Sequence, residues 1–287
     1  MASTKRLFSS LTRRGPHRVL RGDLAFAGIP GIVYTPQSGF NLPAVAFCHD
    51  WITRADRYAG TLEHLASWGI VAAAPDTERG LAPSVLNLAY DLGTTLDILT
   101  GVRLGEGNIS VHPAKLATAG HGFGGSAAVF AAAGAPARVA AVCALFPSVT
   151  SPRAEEAAPG LVAAGKPGLI LTDPGDPMTL RSNAAELGKV WTTATLRAVT
   201  KGKAGGLVEG RTLAKAVGLP GGNRSTQKTV RALLTGFLLA TLRPDLKKNN
   251  PYRDFADPEA ILPRTELADL TQDPVDMENK VVALLKP

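Results

Sequence analysis

The chain is expected to fold as an α/β protein, a mostly parallel central sheet with helices on both faces. Three observations lead there. Strand-like and helix-like segments alternate from about residue 42 onward, the pattern of a parallel sheet whose crossovers are helices. The helix-like segments carry apolar residues along one stripe, so each has one face to bury. At 287 residues and 45% hydrophobic content the chain can bury a large core, yet its longest apolar runs are broken well before the 18 or more positions that a membrane-spanning helix needs.

In order, residues 17–26 and 31–34 are expected to form an antiparallel pair that starts the sheet. A buried strand follows over 43–48, then a helix over 58–68 with Leu62, Leu65 and Ala66 on one face, and a strand over 70–74. Val85, Ala89, Leu92, Leu96 and Leu99 recur at helical spacing, which predicts about four turns against the sheet. A short strand over 115–119 leads into a small-residue helix over 123–133. Further strands are expected at 139–146, 167–172 and 194–199, with a helix at 180–189 between the last two. Residues 201–223, rich in Gly, Lys and Arg, read as a loop with a short helix near 213–217. Ser225 is expected to cap a closing helix with Val230, Leu233, Leu234, Phe237 and Leu238 inward, stopped at Pro244. With no internal repeat, the expected organisation is a basic, disordered arm over 1–18, one domain over 19–255 and a surface extension over 256–287.

Charge is concentrated at one end. The formal net charge is +7, and Lys5, Arg6, Arg13, Arg14, Arg18 and Arg21 lie within the first 22 residues, which hold no acid. The remainder is nearly balanced, which argues against a nucleic-acid-binding body. The arm lacks the apolar stretch of a secretory signal. Its composition fits a solvated tail, a transit peptide, or a tether to an anionic membrane surface or acidic partner. Cys48 and Cys143 fall in strand-like runs and are expected to be buried free thiols.

The sharpest motif is Gly120-His121-Gly122-Phe123-Gly124-Gly125, between a strand and a helix. It has the spacing of G-x-S-x-G, the tight strand-to-helix turn that lifts a nucleophilic hydroxyl above a sheet. The middle residue is Gly122, so the turn is kept and the nucleophile is absent.

From about residue 30 to 255 the chain resembles the α/β-hydrolases, in detail the polyesterase, cutinase and PET-hydrolase group and dienelactone-hydrolase-like proteins. The resemblance rests on Ala46-Phe47-Cys48-His49-Asp50-Trp51 as the oxyanion loop and on the Leu65 to Ala72 segment. It continues through Pro75-Asp76-Thr77, Val111-His112-Pro113-Ala114-Lys115-Leu116, Gly175-Asp176-Pro177 at the position of the triad acid, and Tyr252-Arg253-Asp254-Phe255. It implies an α/β-hydrolase fold and a triad in the order nucleophile, acid, histidine. His17, His49, His64, His112 and His121 all precede Gly122, however, and the segment where the histidine belongs, 200–206, reads Thr-Lys-Gly-Lys-Ala-Gly-Gly. A hydroxyl attacks a carbonyl only if an imidazole takes its proton and a carboxylate orients that imidazole. Two of the three members are missing, and Asp176 remains as an acid without a partner. The absence of any cysteine after Cys143, where secreted relatives often carry a disulfide, favours an intracellular protein.

The expected function is therefore a catalytically inactive α/β-hydrolase-fold protein: a ligand-binding module for an acyl or ester-like molecule, or a scaffold for a protein partner. The backbone N–H groups of Phe123 and, by the resemblance, Trp51 would still form an anion hole, with His49, Asp50 and His121 beside it. No cofactor or metal is expected, and the chain is expected to be cytoplasmic, peripheral to a membrane where the arm tethers it. The alternative is a weak or unusual esterase that uses His49, His121, Asp50 or Asp176 as an acid–base or metal cluster. Ser126 is expected to pack the helix against the sheet, Trp68 to be core, and Lys201 and Lys203 to be solvated cations near the missing histidine.

Overall fold

The apolar runs become a nine-stranded sheet in a computed structural model that describes residues 4–173, 182–210, 221–243 and 249–267. The strands are β1 (Val19–Asp23), β2 (Gly31–Pro36), β3 (Gly39–Cys48), β4 (Val71–Pro75), β5 (Ile109–His121), β6 (Val139–Leu145), β7 (Gly168–Thr172), β8 (Ala194–Val199) and β9 (Thr265–Leu267). Their order is β1-β2-β4-β3-β5-β6-β7-β8-β9. The six from β4 to β8 run parallel, whereas β1, β2 and β9 join antiparallel at the two sides.

Side chains alternate across this sheet and build two cores. Val45, Phe47, Ala117, Ala119, Cys143 and Leu145 face the first, which is covered by α1 (Thr4–Leu11), α2 (Ala59–Ser67) and α7 (Arg224–Thr241). Ala44, Ala46, Cys48, Val142 and Ala144 face the second, which is covered by α3 (Val85–Gly101), α4 (Phe123–Gly134), α5 (Ala154–Ala163) and α6 (Ala184–Val190). The α3 stripe of Leu88, Leu92, Leu96 and Leu99 is almost fully buried, and each of these leucines contributes roughly 1.5–3 kcal/mol. Cys48 and Cys143 are free, fully buried and on opposite sheet faces. This is an α/β fold compatible with that of the α/β-hydrolases.

Several local expectations are corrected. The N-terminal arm is helical over Thr4–Leu11 rather than disordered: Phe8 and Leu11, three residues apart, bury one face against the first core. Beyond it, Gly15 N–H donates to Ser67 Oγ at 2.8 Å and the Trp68 indole N–H donates to the Arg13 carbonyl at 3.1 Å. Reading the arm by charge alone overlooks that apolar pair, and it explains why Trp68 is half-buried beneath the arm rather than sealed in the core. The closing helix is capped by Asn223, whose side chain accepts from the N–H groups of Ser225 and Thr226. Strand β5 begins at Ile109, earlier than expected, and α5 has no counterpart among the expected elements. Part of the surface extension, β9, lengthens the sheet. The short helix expected at 213–217, the stop at Pro244 and Asp176 lie outside the described residues. Among the described residues, no helix is long and apolar enough to cross a membrane.

Candidate functional site

The turn between β5 and α4 is a single residue, Gly122, with φ 55° and ψ −118°, a conformation that strains any residue with a Cβ. Its flanks are sterically closed. A Cβ on Gly120 would come within 2.0 Å of the Gly124 carbonyl oxygen, and one on Gly124 within 2.4 Å of that of His49. The helix start is thus pressed onto the ends of β3 and β5, and Ser126, fully buried, donates its hydroxyl to the Ser148 carbonyl at 2.6 Å. Its packing role is as expected.

Space above Gly122 is filled from the neighbouring strand. A Cβ at this position would lie 2.1 Å from Oδ1 of Asp50. That oxygen accepts from the backbone N–H of Phe123 at 2.9 Å and of Trp51 at 2.8 Å. The two donors expected to form an anion hole do converge, and the anion they hold is the chain's own carboxylate.

His121 lies behind this carboxylate, its Nδ1 4.0 Å from Asp50 Oδ2. Nδ1 is also 2.8 Å from the Tyr58 hydroxyl, and Nε2 is 3.0 Å from the Ala204 carbonyl. A carbonyl only accepts, so Nε2 carries the proton and Nδ1 accepts from Tyr58. Tyr58 accepts in turn from the Asp50 N–H at 3.2 Å. Burial lowers the His121 pKa, opposed by the nearby Asp50 charge and the bond to Ala204. Burial, then the Asp50 charge, raises that of Tyr58. The imidazole is therefore neutral, with its one proton and its one lone pair both engaged by protein groups.

His49 is also buried, its Nδ1 2.9 Å from the Asp50 carbonyl and its Nε2 2.9 Å from that of Thr77. Of the five residues expected to meet a ligand, the structure brings Asp50, Trp51 and Phe123 to the surface of one sheet end. It buries His49 and His121 beneath them. Tyr58 and the Ala204 carbonyl are absent from the sequence-based expectation. Tyr58 reads in sequence as an aromatic opening a helix, and nothing there signals where its hydroxyl points.

The loop after β8, where the resemblance places the missing histidine, is fastened down. Glu209 accepts from Gly60 N–H at 2.7 Å, Thr61 N–H and Oγ1 at 2.9 Å each, and Arg231 at 2.8 Å. It thereby caps the start of α2 and ties the loop to α7. Lys201 and Lys203 are exposed and line a cavity of about 490 Å³ with Asp173, Thr200 and Glu266. A second cavity, about 280 Å³, lies between α3 and α4 beside Tyr90 and Phe130. Neither is lined by Asp50, Trp51 or Phe123. Among the described residues no group of three or more His, Cys, Asp or Glu side chains is arranged to hold a metal ion.

Apolar side chains rim the same sheet end. The strands β4, β3, β5 and β6 are neighbours, and the segments leaving three of them expose Leu81 (82%), Trp51 (41%), Ile52 (59%) and Val149 (43%). Ile52 has φ 55°, unusual for a β-branched residue and a common mark of a functional loop. In comparisons with known proteins, the chain matches no family model and no curated protein.

Proposed function

We propose that this protein is a non-catalytic member of the α/β-hydrolase type and works as a binding module. Its contact face is the sheet end above Gly122, and its occupant is a protein partner rather than an ester that is turned over. The observation that carries this reading is the Asp50 carboxylate on the N–H groups of Trp51 and Phe123. An acyl carbonyl approaching those donors meets a full negative charge already seated there, and no hydroxyl stands at position 122 to attack it. The small-molecule version of the reading is weakened for the same reason, because an acyl or ester-like ligand must first displace Asp50. The exposed Trp51, Ile52, Leu81 and Val149 suit a protein surface, since aromatic and apolar side chains are enriched in the buried part of protein interfaces. The arm adds a second contact: Phe8 and Leu11 are turned inward, and the charges of Lys5, Arg6, Arg13, Arg14 and Arg18, with Arg21 beside them on β1, are exposed to meet an acidic partner or an anionic membrane.

Two measurements test the reading. Purified protein is expected to hydrolyse p-nitrophenyl butyrate no faster than buffer and to resist labelling by a fluorophosphonate; turnover abolished by His121→Ala or Asp50→Asn establishes the esterase alternative instead. A photo-crosslinking amino acid at position 51 is expected to give a discrete adduct in cells that the same group at Leu20, exposed on β1, does not give. Equal patterns from both positions refute the contact face.

A further inference from the structure

Strand β1 forms one side of the sheet and, among the described strands, pairs with β2 alone. Four of its five residues are exposed. We infer that this open edge takes up an acidic extended segment of a partner protein, which adds to the sheet as a further strand beside Val19–Asp23 and sets carboxylates against Arg18 and Arg21.

The backbone phase decides which groups the edge offers. In an antiparallel pair, residues that exchange hydrogen bonds with the neighbour alternate with residues that turn theirs away. Gln37 N–H donates to the Arg18 carbonyl at 2.8 Å, and the register sets Leu20 opposite Thr35 and Gly22 opposite Val33, so the inward bonds belong to Arg18, Leu20 and Gly22. Pro36, which has no N–H to give, stands opposite Val19, as this phase requires. Val19 and Arg21 therefore turn both N–H and carbonyl away from β2, and Asp23 its N–H. Upstream the edge is closed, because His17 N–H donates to the Ser67 carbonyl at 3.1 Å. The Asp23 carboxylate is turned back to its own loop, accepting from Ala25 N–H at 2.9 Å. Charge then selects the occupant. Arg13, Arg14, Arg18 and Arg21 are exposed on and before the strand, and residues 1–22 hold no acid; the Glu63 carboxylate, 3.4 Å from Arg14, answers one of the four. A second copy of β1 sets arginines against arginines, which cations on an edge strand serve to prevent. An acidic strand meets attraction in place of that repulsion. Main-chain bonds then supply affinity and the alternating side chains specificity. Running antiparallel, a segment that reads acid, apolar, apolar, acid faces Arg21, Leu20, Val19 and Arg18 in turn.

The inference rests on the acidic-partner reading of the arm's charge and makes it specific. Its occupant is distinct from the partner above Gly122, because β1 lies three strands from β3, so an adduct formed at Leu20 differs in mass from the adduct at position 51. Isotope-labelled protein is titrated with the capped peptide Thr-Glu-Val-Val-Glu-Thr and with its counterpart Thr-Lys-Val-Val-Lys-Thr, and amide hydrogen exchange is followed along β1. At saturation the acidic peptide is expected to slow exchange at Val19, Arg21 and Asp23 by about tenfold or more, while Leu20 and Gly22, already bonded to β2, exchange as before; the basic peptide is expected to be inert. Arg18→Glu combined with Arg21→Glu is expected to weaken the acidic peptide at least about tenfold, and Val19→Pro, which keeps every cation and removes one outward donor, at least about threefold. Binding that needs the arginines but leaves the three wild-type amides exchanging as before keeps the charge reading and overturns strand addition. No binding, or equal binding of both peptides, overturns both. β1 amides that respond to phosphatidylglycerol vesicles and not to the acidic peptide assign the arginines to a membrane and likewise overturn the inference.

Discussion

Adding a methyl group at position 122 tests whether Gly122 and Asp50 form one steric unit. In Gly122→Ala two costs arise. The backbone at φ 55° and ψ −118° strains a residue with a Cβ by about 1–3 kcal/mol. The new Cβ, 2.1 Å from Asp50 Oδ1, also expels the carboxylate from two N–H donors. Bonds to a charged group contribute about 1.5–3 kcal/mol each, but the side chain is 30% exposed and water recovers much of that, leaving about 2 kcal/mol for the pair. Gly122→Ala is thus expected to cost about 3–5 kcal/mol in the wild-type background and only the backbone share, about 1–3 kcal/mol, in Asp50→Ala. The assay is urea unfolding of the four proteins of the double-mutant cycle, with a coupling of about 2 kcal/mol expected. A Gly122→Ala cost that agrees in the two backgrounds to within about 0.5 kcal/mol, the level of simple additivity, refutes the steric argument and leaves only the backbone explanation for the glycine.

Three further outcomes follow from charge and burial. His64 sits under the arm, hydrogen-bonded to the Leu11 backbone, and burial, then the Arg231 charge, lowers its pKa to about 4 from 6.5. Between those values the unfolded chain binds the extra proton, so stability is full above pH 6.5 and is lost on acidification toward pH 4, by about 3 kcal/mol from this group; His64→Met is expected to remove that share of the slope, and an unchanged slope counts against it. Glu209→Ala strips the cap from α2 and leaves Arg231 without its carboxylate, at a cost of about 3 kcal/mol, with faster hydrogen exchange at Gly60 and Thr61; exchange as slow as in wild type refutes the lock. Burial raises the thiol pKa of Cys48 and of Cys143, so neither is expected to react with a disulfide reagent until the protein unfolds, and rapid labelling of the native chain contradicts the buried placement.

The parallel core was legible because both of its signals are local. Short apolar runs such as residues 194–199 match β8 at both ends, and the α3 stripe from Val85 to Leu99 is buried as its spacing requires. The errors came where two weak signals competed or where the partner is distant in sequence. In residues 1–18 the charges of Lys5, Arg6, Arg13, Arg14 and Arg18 outweighed the Phe8–Leu11 pair, although two apolar residues suffice when a core stands ready to receive them. Asn223 and Ser225 both have cap chemistry, and only the backbone direction at the loop exit decides between them. β9 is three residues long and gains its pairing from an already formed edge at β8, so its own sequence carries little signal.

The site was half legible for a different reason. Sequence exposes what is missing from a motif, so a bare Gly122 reads as a lost nucleophile. It does not expose what has moved into the space, because Asp50 and Gly122 are 72 positions apart and meet only through the β3–β5 pairing, in which Cys48 lies opposite Gly120. Once they meet, the two residues constrain each other. A serine at position 122 needs the volume that the Asp50 carboxylate occupies, and the carboxylate needs the volume that a serine would take. Gly122→Ser by itself is therefore not expected to create a nucleophile–base pair: it drives a charge out of its donors, and the imidazole behind that charge, His121, has its lone pair engaged by Tyr58. The absent hydroxyl and the resident carboxylate are in this sense a single structural feature, a sheet end organised around a fixed internal anion instead of around a reacting one.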